Sequence, residues 1–249
     1  MEYKHARDDN FGDFACGRVI YNKPGMPNFP VRLTQEIFGR CLNYLKNRKN
    51  ICIYDPCCGS GYMLTVLGFL NTGIIDRIIA SDIDNEAVNL AKRNLSLLTG
   101  EGLECRIRQL NDLYEKFHKA SHKEAIESGK RMMNMLGSFP KKPDTYAFQA
   151  DLLSENVLGH QSFKADIVMT DVPYGNLVAW QGDREDGIGV LMENLIPVLK
   201  PDSVVAICTD KKQKIKTEKY RRLEKQLIGK RKFEIFALQD TTLESEAKI

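Results

Sequence analysis

The residues Asp171-Val172-Pro173-Tyr174-Gly175 place a carboxylate, a proline carbonyl and an aromatic ring side by side. A nitrogen of a nucleic-acid base is a poor nucleophile, because its lone pair is delocalised. Asp171 and the Pro173 carbonyl can accept its protons and align the lone pair, and Tyr174 can stack on a flipped-out base. We therefore predict Asp171, Pro173 and Tyr174 as catalytic residues, with a proline-induced turn as the alternative.

A glycine loop, Asp55-Pro56-Cys57-Cys58-Gly59-Ser60-Gly61, follows an apolar run and precedes a helical pattern. Its glycines allow a tight turn and a close approach to a ligand. The carboxylate at its start would repel the pyrophosphate of a dinucleotide but attract an amino-acid ammonium group. The third glycine of the dehydrogenase fingerprint is also missing. The loop therefore favours S-adenosylmethionine, a methyl donor. Its predicted donor-binding residues are Asp55, Cys57, Gly59 and Gly61.

Four further residues can complete a donor site. Asp82 follows the next apolar run, where a carboxylate can accept both ribose hydroxyls of an adenosine. Ile83 would then lie against the adenine face, and Asp151 can accept a hydrogen bond from the adenine amine. Arg32 either pairs with the carboxylate of S-adenosylmethionine or is only a surface residue at the start of a helix that runs to about residue 45.

Short apolar runs alternate with helical patterns along the chain. The runs cover residues 51–54, 78–80, 146–149, 166–170 and 204–208, and the helical patterns cover residues 63–70, 86–98 and 188–199. Alternation of this kind predicts βαβ units and a parallel sheet. Each run stops at an acidic or polar residue, so that the sheet would direct several carboxylates into one crevice outside the strand ends.

Two segments depart from this alternation. Residues 101–143 are charged and helix-prone, and we predict two inserted helices before the third strand. His118 and His122 could share a face there, but no further metal ligands are evident, so a solvated helix face is favoured over a metal site. Near the C-terminus, residues 233–239 predict a strand, preceded either by a hairpin turn at Gly229 or by a helix over residues 218–228.

Basic residues are concentrated after the fifth predicted strand. Their position near the crevice suits contacts with a phosphate backbone, although a solvated surface is the alternative. The predicted RNA-binding residues are Lys211, Lys212, Lys214, Lys216, Arg221 and Arg222, and the concentration continues to Lys230, Arg231 and Lys232.

The bulk properties agree with an α/β enzyme. With 249 residues and 43% hydrophobic composition, we expect one domain over residues 1–249 with the helical insertion at about 101–143. The net charge of +3 neither demands nor excludes a polyanionic partner. The N-terminus lacks the apolar region of a secretory signal, no run is long enough for a bilayer, and the seven cysteines suggest reduced thiols, so a cytoplasmic protein is expected.

The order of these motifs resembles the AviRa-type ribosomal RNA methyltransferases, a family linked to resistance to the orthosomycin avilamycin. The resemblance rests on DPCCGSGY, ASDID, the helical insert, TDVPYG and the N-terminal segment from Ala15 to Leu33, with the segment from Asp210 to Ile215. It implies a Rossmann-like class I fold with a seven-stranded, mostly parallel sheet flanked by helices. It also implies S-adenosylmethionine-dependent N-methylation of a guanine base in large-subunit (23S) ribosomal RNA. The expected partner is that RNA or the ribosomal subunit, without a membrane, and the enzyme is expected to be a monomer.

One departure from the wider base-methyltransferase pattern concerns Val172, where the usual D-P-P-Y motif has a proline. Valine does not restrict the backbone as proline does, which leaves the methylated nitrogen open. An N6-adenine DNA methyltransferase therefore stays an alternative, although no separate target-recognition domain is visible. A small-molecule or protein-glutamine methyltransferase and a non-catalytic RNA-binding or assembly protein are further alternatives.

Overall fold

The computed structural model describes residues 1–15, 17–24, 28–139, 141–172 and 187–239. Seven strands form its sheet: β1 (Ile51–Asp55), β2 (Ile75–Asp82), β3 (Asp144–Gln149), β4 (Ala165–Asp171), β5 (Leu199–Asp210), β6 (Tyr220–Ile228) and β7 (Arg231–Leu238). Their order is β3-β2-β1-β4-β5-β7-β6. Strands β1 to β5 pair in parallel, whereas β7 runs antiparallel to both β5 and β6. The sheet is the seven-stranded, mostly parallel one that the resemblance implies.

In the part of the chain that the structure describes, six α-helices accompany the sheet: α1 (Val31–Tyr44), α2 (Tyr62–Leu70), α3 (Asn85–Ser96), α4 (Gly100–Phe117), α5 (Ala120–Gly137) and α6 (Gly187–Leu195). Helices α4 and α5 are the two helices predicted before the third strand. Helix α6 is shorter than the predicted pattern over 188–199, because Pro197 lies in a 3₁₀ turn and β5 already begins at Leu199. None of the helices in the described ranges is both long and apolar enough to cross a bilayer.

The central strands are apolar throughout because both faces of the sheet are covered. Every residue of β1 is buried, and its side chains alternate between two cores. Ile53 packs into the core shared with α1 to α5. Tyr54 packs into the core shared with α6 and residues 150–163. This double coverage fixes the register of the strands and leaves only their ends open to a ligand.

The C-terminal strands form a hairpin, as one of the two sequence interpretations predicted. Gly229 turns it with a left-handed φ of +57°, which glycine adopts without strain. The alternative helix over residues 218–228 is wrong, because β6 pairs along its length with β7. The hairpin also places the beginning of β7 beside the end of β5, with Arg231 opposite Asp210.

A buried ion-pair network joins the N-terminal segment, α1 and β6. The carboxylate of Glu36 accepts hydrogen bonds from the backbone amides of Lys4, His5 and Ala6 at 2.7–3.0 Å, and from Arg40 Nε at 2.6 Å. Arg40 in turn pairs with Glu224 on β6. Burial opposes the ionisation of Glu36, but these donors outweigh it and lower its pKa. The network therefore stabilises the chain as long as Glu36 is ionised.

We expect Glu36→Gln to lower the free energy of unfolding by about 3 kcal/mol, because a buried arginine and several amides lose their charged partner. Chemical denaturation measures this loss. The pKa of Glu36 is lowered in the folded state. The difference in unfolding free energy between the wild type and Glu36→Gln should therefore be largest at neutral pH and shrink as the pH falls through that pKa. Glu127→Gln is the control, since Glu127 forms an exposed pair with Lys130. Equal stability of both variants would contradict the role of Glu36.

Candidate active site

The glycine loop leaves β1 at its carboxyl end. Asp55 is 3% exposed and accepts a hydrogen bond from the Cys57 amide at 3.1 Å. Gly59 and Gly61 have left-handed φ values of +51° and +70°. A Cβ at Gly59 would meet no described atom within 4 Å, so its backbone borders open space, whereas a Cβ at Gly61 would lie 2.9 Å from Ala91 Cβ on α3. Gly59 therefore leaves space for a ligand to approach the backbone, and Gly61 allows α3 to pack closely against the loop.

Asp82 at the end of β2 holds this loop in place. Its Oδ2 accepts the Gly59 amide at 2.8 Å, and its Oδ1 accepts the Asp84 amide at 3.0 Å. Burial raises the pKa of Asp82, and these amides act against that rise. Each carboxylate oxygen has a second lone pair, so the side chain can still accept the two ribose hydroxyls. The neighbouring Ile83 is 39% exposed, which agrees with a side chain that covers a ligand.

The segment after β3 lies beside the end of β2. The Ala150 amide donates to the Asp82 carbonyl at 3.0 Å. The Asp151 carboxylate accepts the Leu153 amide and the Ser154 hydroxyl, both at 2.9 Å. These contacts cap the following turn, so that a contact of Asp151 with an adenine amine must use its remaining lone pairs. That contact stays a prediction.

Two residues that sequence reasoning missed support the predicted S-adenosylmethionine site. Ser81 is fully buried and donates to the Pro56 carbonyl at 3.2 Å, while a 2.7 Å hydrogen bond joins it to the Tyr54 hydroxyl. Gln149 Nε2 donates to the Ile83 carbonyl at 2.9 Å. Neither residue has a sequence signal, because both contacts arise between neighbouring parallel strands.

Asp171 lies at the end of β4, on the other side of β1 from Asp82. Its Oδ1 is buried and has no hydrogen-bond partner within the described ranges, and its Oδ2 lies 3.5 Å from Arg231 Nη1. Burial raises the pKa of Asp171 to about 6, and Arg231 limits the rise. An acceptor oxygen that has no partner among the described residues is therefore held at the edge of the sheet. Pro173 and Tyr174, predicted beside it, lie outside the described residues.

The valine in the motif has a structural reason. The Val172 amide donates to the Cys208 carbonyl at 3.1 Å, which extends the pairing of β4 with β5 by one residue. Proline has no amide hydrogen and could not make this bond. Val172 is also 1% exposed, so its side chain contributes to the core below the site. The departure from D-P-P-Y therefore leaves Asp171 firmly anchored.

The crevice is acidic. Burial raises the pKa of Asp55 to about 7, and the nearby carboxylates of Asp82 and Asp171 act in the same direction. A cationic ligand would relieve this repulsion and return the carboxylates to their ionised form. S-adenosylmethionine carries both an ammonium and a sulfonium group. The carboxylates of the crevice and the open space beside the Gly59 backbone therefore fit this cofactor.

Arg32 and the basic residues have different surroundings. The Arg32 guanidinium lies 3.1 Å from Asp8 and 4.3 Å from the centre of the Tyr3 ring, so its predicted contact with the donor carboxylate would have to compete with both. The predicted RNA-binding residues Lys211, Lys212, Lys214, Lys216, Arg221 and Arg222 are all exposed. Arg222 also pairs with Glu234 at 2.8 Å.

Two cations at the end of the basic stretch are wholly or partly buried. Lys232 is 3% exposed and bonds to Glu234 at 2.5 Å. Arg231 turns toward Asp171 and lies over the Phe29 ring, with 5.5 Å between the guanidinium carbon and the ring centre. Sequence reasoning counted both among the surface cations, because a charge pattern does not show which side chains face inward.

Comparison with known proteins identifies the family. Residues 1–231 match the family model described as rRNA methyltransferase AviRa. The chain is 38% identical over 237 residues to the 23S rRNA (guanine(2535)-N(1))-methyltransferase of Streptomyces viridochromogenes, covering 92% of this chain and 93% of that protein. The solved structure of rRNA methyltransferase AviRa from the same organism superposes with a TM-score of 0.85 at 35% identity, covering 94% and 96% of the two chains.

A more distant structure shows the fold alone. It is a putative class I S-adenosylmethionine-dependent methyltransferase from Listeria monocytogenes, with a TM-score of 0.52, 14% identity and coverage of 89% of this chain and 64% of that one. The family match and the relative cover nearly the whole chain, including the inserted helices and the crevice described above. The chain therefore belongs to the AviRa family of rRNA methyltransferases.

Proposed function

We propose that this protein transfers a methyl group from S-adenosylmethionine to N1 of a guanine in 23S ribosomal RNA. The observation that carries the proposal is the 38% identity, over 92% of the chain, to a relative named for that reaction. The acidic crevice and the buried acceptor Oδ1 of Asp171 support it. We expect the reaction to take place in the cytoplasm, and residues 1–249 would act as one methyltransferase domain and as a monomer.

The donor would lie across the ends of β1, β2 and β3. Gly59 and Gly61 would allow its methionine part to approach the backbone, with Asp55 and Cys57 at the base of the loop. Asp82 would hold the ribose, and Ile83 and Asp151 would contact the adenine. When bound, the donor supplies an electrophilic methyl group. The protein supplies its orientation toward the end of β4.

The acceptor chemistry falls to Asp171. Guanine N1 carries a proton at neutral pH, and that proton must leave before the nitrogen can attack a methyl group. A carboxyl with a pKa of about 6 is mostly ionised at neutral pH, so it can accept this proton. The Pro173 carbonyl and the Tyr174 ring, outside the described residues, would hold the exocyclic amine and stack on the base.

We expect Asp171→Asn to lower the rate of methyl transfer by about 10²- to 10⁴-fold, because the amide cannot accept the N1 proton. The assay is tritium transfer from labelled donor to 23S rRNA, with genomic DNA alongside. Primer extension should stop at the modified guanine, since an N1-methyl group blocks base pairing. The affinity of Asp171→Asn for S-adenosylmethionine, measured by calorimetry, should stay unchanged. The control is Asp202→Asn, an exposed change near the beginning of β5, which should leave the rate of methyl transfer unchanged. Label in DNA alone would refute the RNA substrate.

We expect Asp82→Asn to weaken donor binding by about 10- to 100-fold, because a charged acceptor of hydrogen bonds is lost. Calorimetric titration with S-adenosylhomocysteine measures the change. Asp84→Asn is the matched control: Asp84 caps α3 through the Glu86 amide at 2.9 Å, and asparagine caps equally well. If the two variants bound the ligand alike, Asp82 would not be the ribose-binding residue.

The basic segment should act on RNA affinity and not on the chemical step. Replacing Lys211, Lys212 and Lys214 by glutamine should reduce the slope of log affinity against log salt by roughly 2, because each phosphate contact contributes about 0.7–0.9. The control replaces Lys46, Arg48 and Lys49, which are exposed at the opposite edge of the sheet, before β1. An equal change in both triple variants would mean that the basic segment has no special role.

A further inference from the structure

Arg231 is the first residue of the last strand, yet it lies beside the carboxyl end of β5. Because β7 runs antiparallel to β5, its first residue lies opposite Asp210, at the edge of the sheet where the parallel strands end. Asp171 pairs with Cys208 on the other side of β5. The arginine side chain therefore reaches across β5 to place Nη1 3.5 Å from Asp171 Oδ2.

The surroundings keep this side chain directed at the crevice. The Phe29 ring, just before α1, lies under the guanidinium at 5.5 Å. The adjacent acid on β7, Glu234, is already neutralised by Lys232 and Arg222. The Arg231 side chain is 28% exposed, so part of it is accessible from solvent. A guanidinium in this state can meet a ligand without a large loss of conformational freedom.

We propose that Arg231 is a second functional residue of the methyl-transfer reaction, which positions the Asp171 carboxylate and donates a hydrogen bond to O6 of the target guanine. This inference rests on the proposed function. Guanine presents N1–H and O6 side by side, a donor next to an acceptor. Asp171 and Arg231 present the complementary pair, an acceptor next to a donor, 3.5 Å apart. That separation exceeds the length of a charge-assisted hydrogen bond, so this contact alone does not lock the two groups together.

The chemistry explains why a cation is useful there. The N1 proton moves to Asp171, and the electron pair left behind is shared between N1 and O6. The guanidinium stabilises the negative charge on O6. The N1 pair then forms the bond to the methyl carbon, while the pair of the broken carbon–sulfur bond stays on sulfur. The products are a neutral N1-methylguanine, a neutral thioether and a proton that Asp171 releases to water.

Several groups face Asp171 and set its charge state. They are Asp55 and Cys57 from β1 and its loop, Cys208 from β5 and Arg231 from β7. Among them Arg231 is the cation, and it lowers the pKa of Asp171 against the rise that burial causes. Its removal must therefore raise that pKa. As a result, the acidic limb of the rate profile should move to higher pH, since the carboxylate is the form that accepts the proton.

The test compares Arg231→Gln and Arg231→Lys with Lys225→Gln, an exposed cation on the neighbouring strand β6. Carbon-13 NMR of the Asp171 carboxyl gives its pKa without any activity. We expect a higher pKa in Arg231→Gln and near wild-type values in the other two variants. The rate of transfer at saturating RNA and donor should fall about 10²-fold in Arg231→Gln, as for loss of one oxyanion donor. Its acidic limb should shift upward, with donor affinity unchanged.

Two results would overturn the inference. An unchanged Asp171 pKa in a folded Arg231→Gln protein would remove the positioning role. An equal loss of rate in Arg231→Gln and Lys225→Gln would mean that Arg231 acts only through general electrostatic attraction of RNA. If the wild-type protein methylated no RNA, the proposed function would fail, and the NMR titration would still decide whether Arg231 controls Asp171.

Discussion

Burial of three carboxylates at one edge of the sheet is the constraint on which the site depends. Asp55, Asp82 and Asp171 end β1, β2 and β4, and their mutual repulsion adds to the cost of burial. Backbone amides of the glycine loop offset part of this cost at Asp82 and Asp55. The remaining negative charge can attract a cationic cofactor, whose binding would relieve the repulsion between the carboxylates.

The strand order divides this edge into two halves. β1 and β4 are neighbours in space although β2 and β3 lie between them in the chain, and the crevice opens where the order reverses. The half formed by β1 to β3 carries the residues suited to an adenosine. The half formed by β4, β5 and β7 carries Asp171 and Arg231, which are suited to a base. A methyl group held at the boundary can therefore be passed from one half to the other.

The antiparallel strand β7 gives the second half its cation. In a wholly parallel sheet, the first residue of a strand lies at the edge away from the ligand. The hairpin at Gly229 reverses the chain, so that Arg231 begins its strand at the edge where the other strands end. The buried network around Glu36, Arg40 and Glu224 fastens β6 to α1, and thereby holds the hairpin in position.

Local patterns in the chain were sufficient for most of the fold. The buried strands, the inserted helices and the loop from Asp55 to Gly61 each have a signal, because hydrophobic period, glycine placement and strand-end carboxylates are properties of neighbouring residues. The hairpin at Gly229 was one of two possibilities, since a short amphipathic segment suits a strand or a helix until a partner strand is present. Ser81 had no signal of function, and Arg231 was predicted only as part of the basic stretch. Their roles depend on contacts across strands and on the direction in which a side chain points, and packing of distant segments alone decides both.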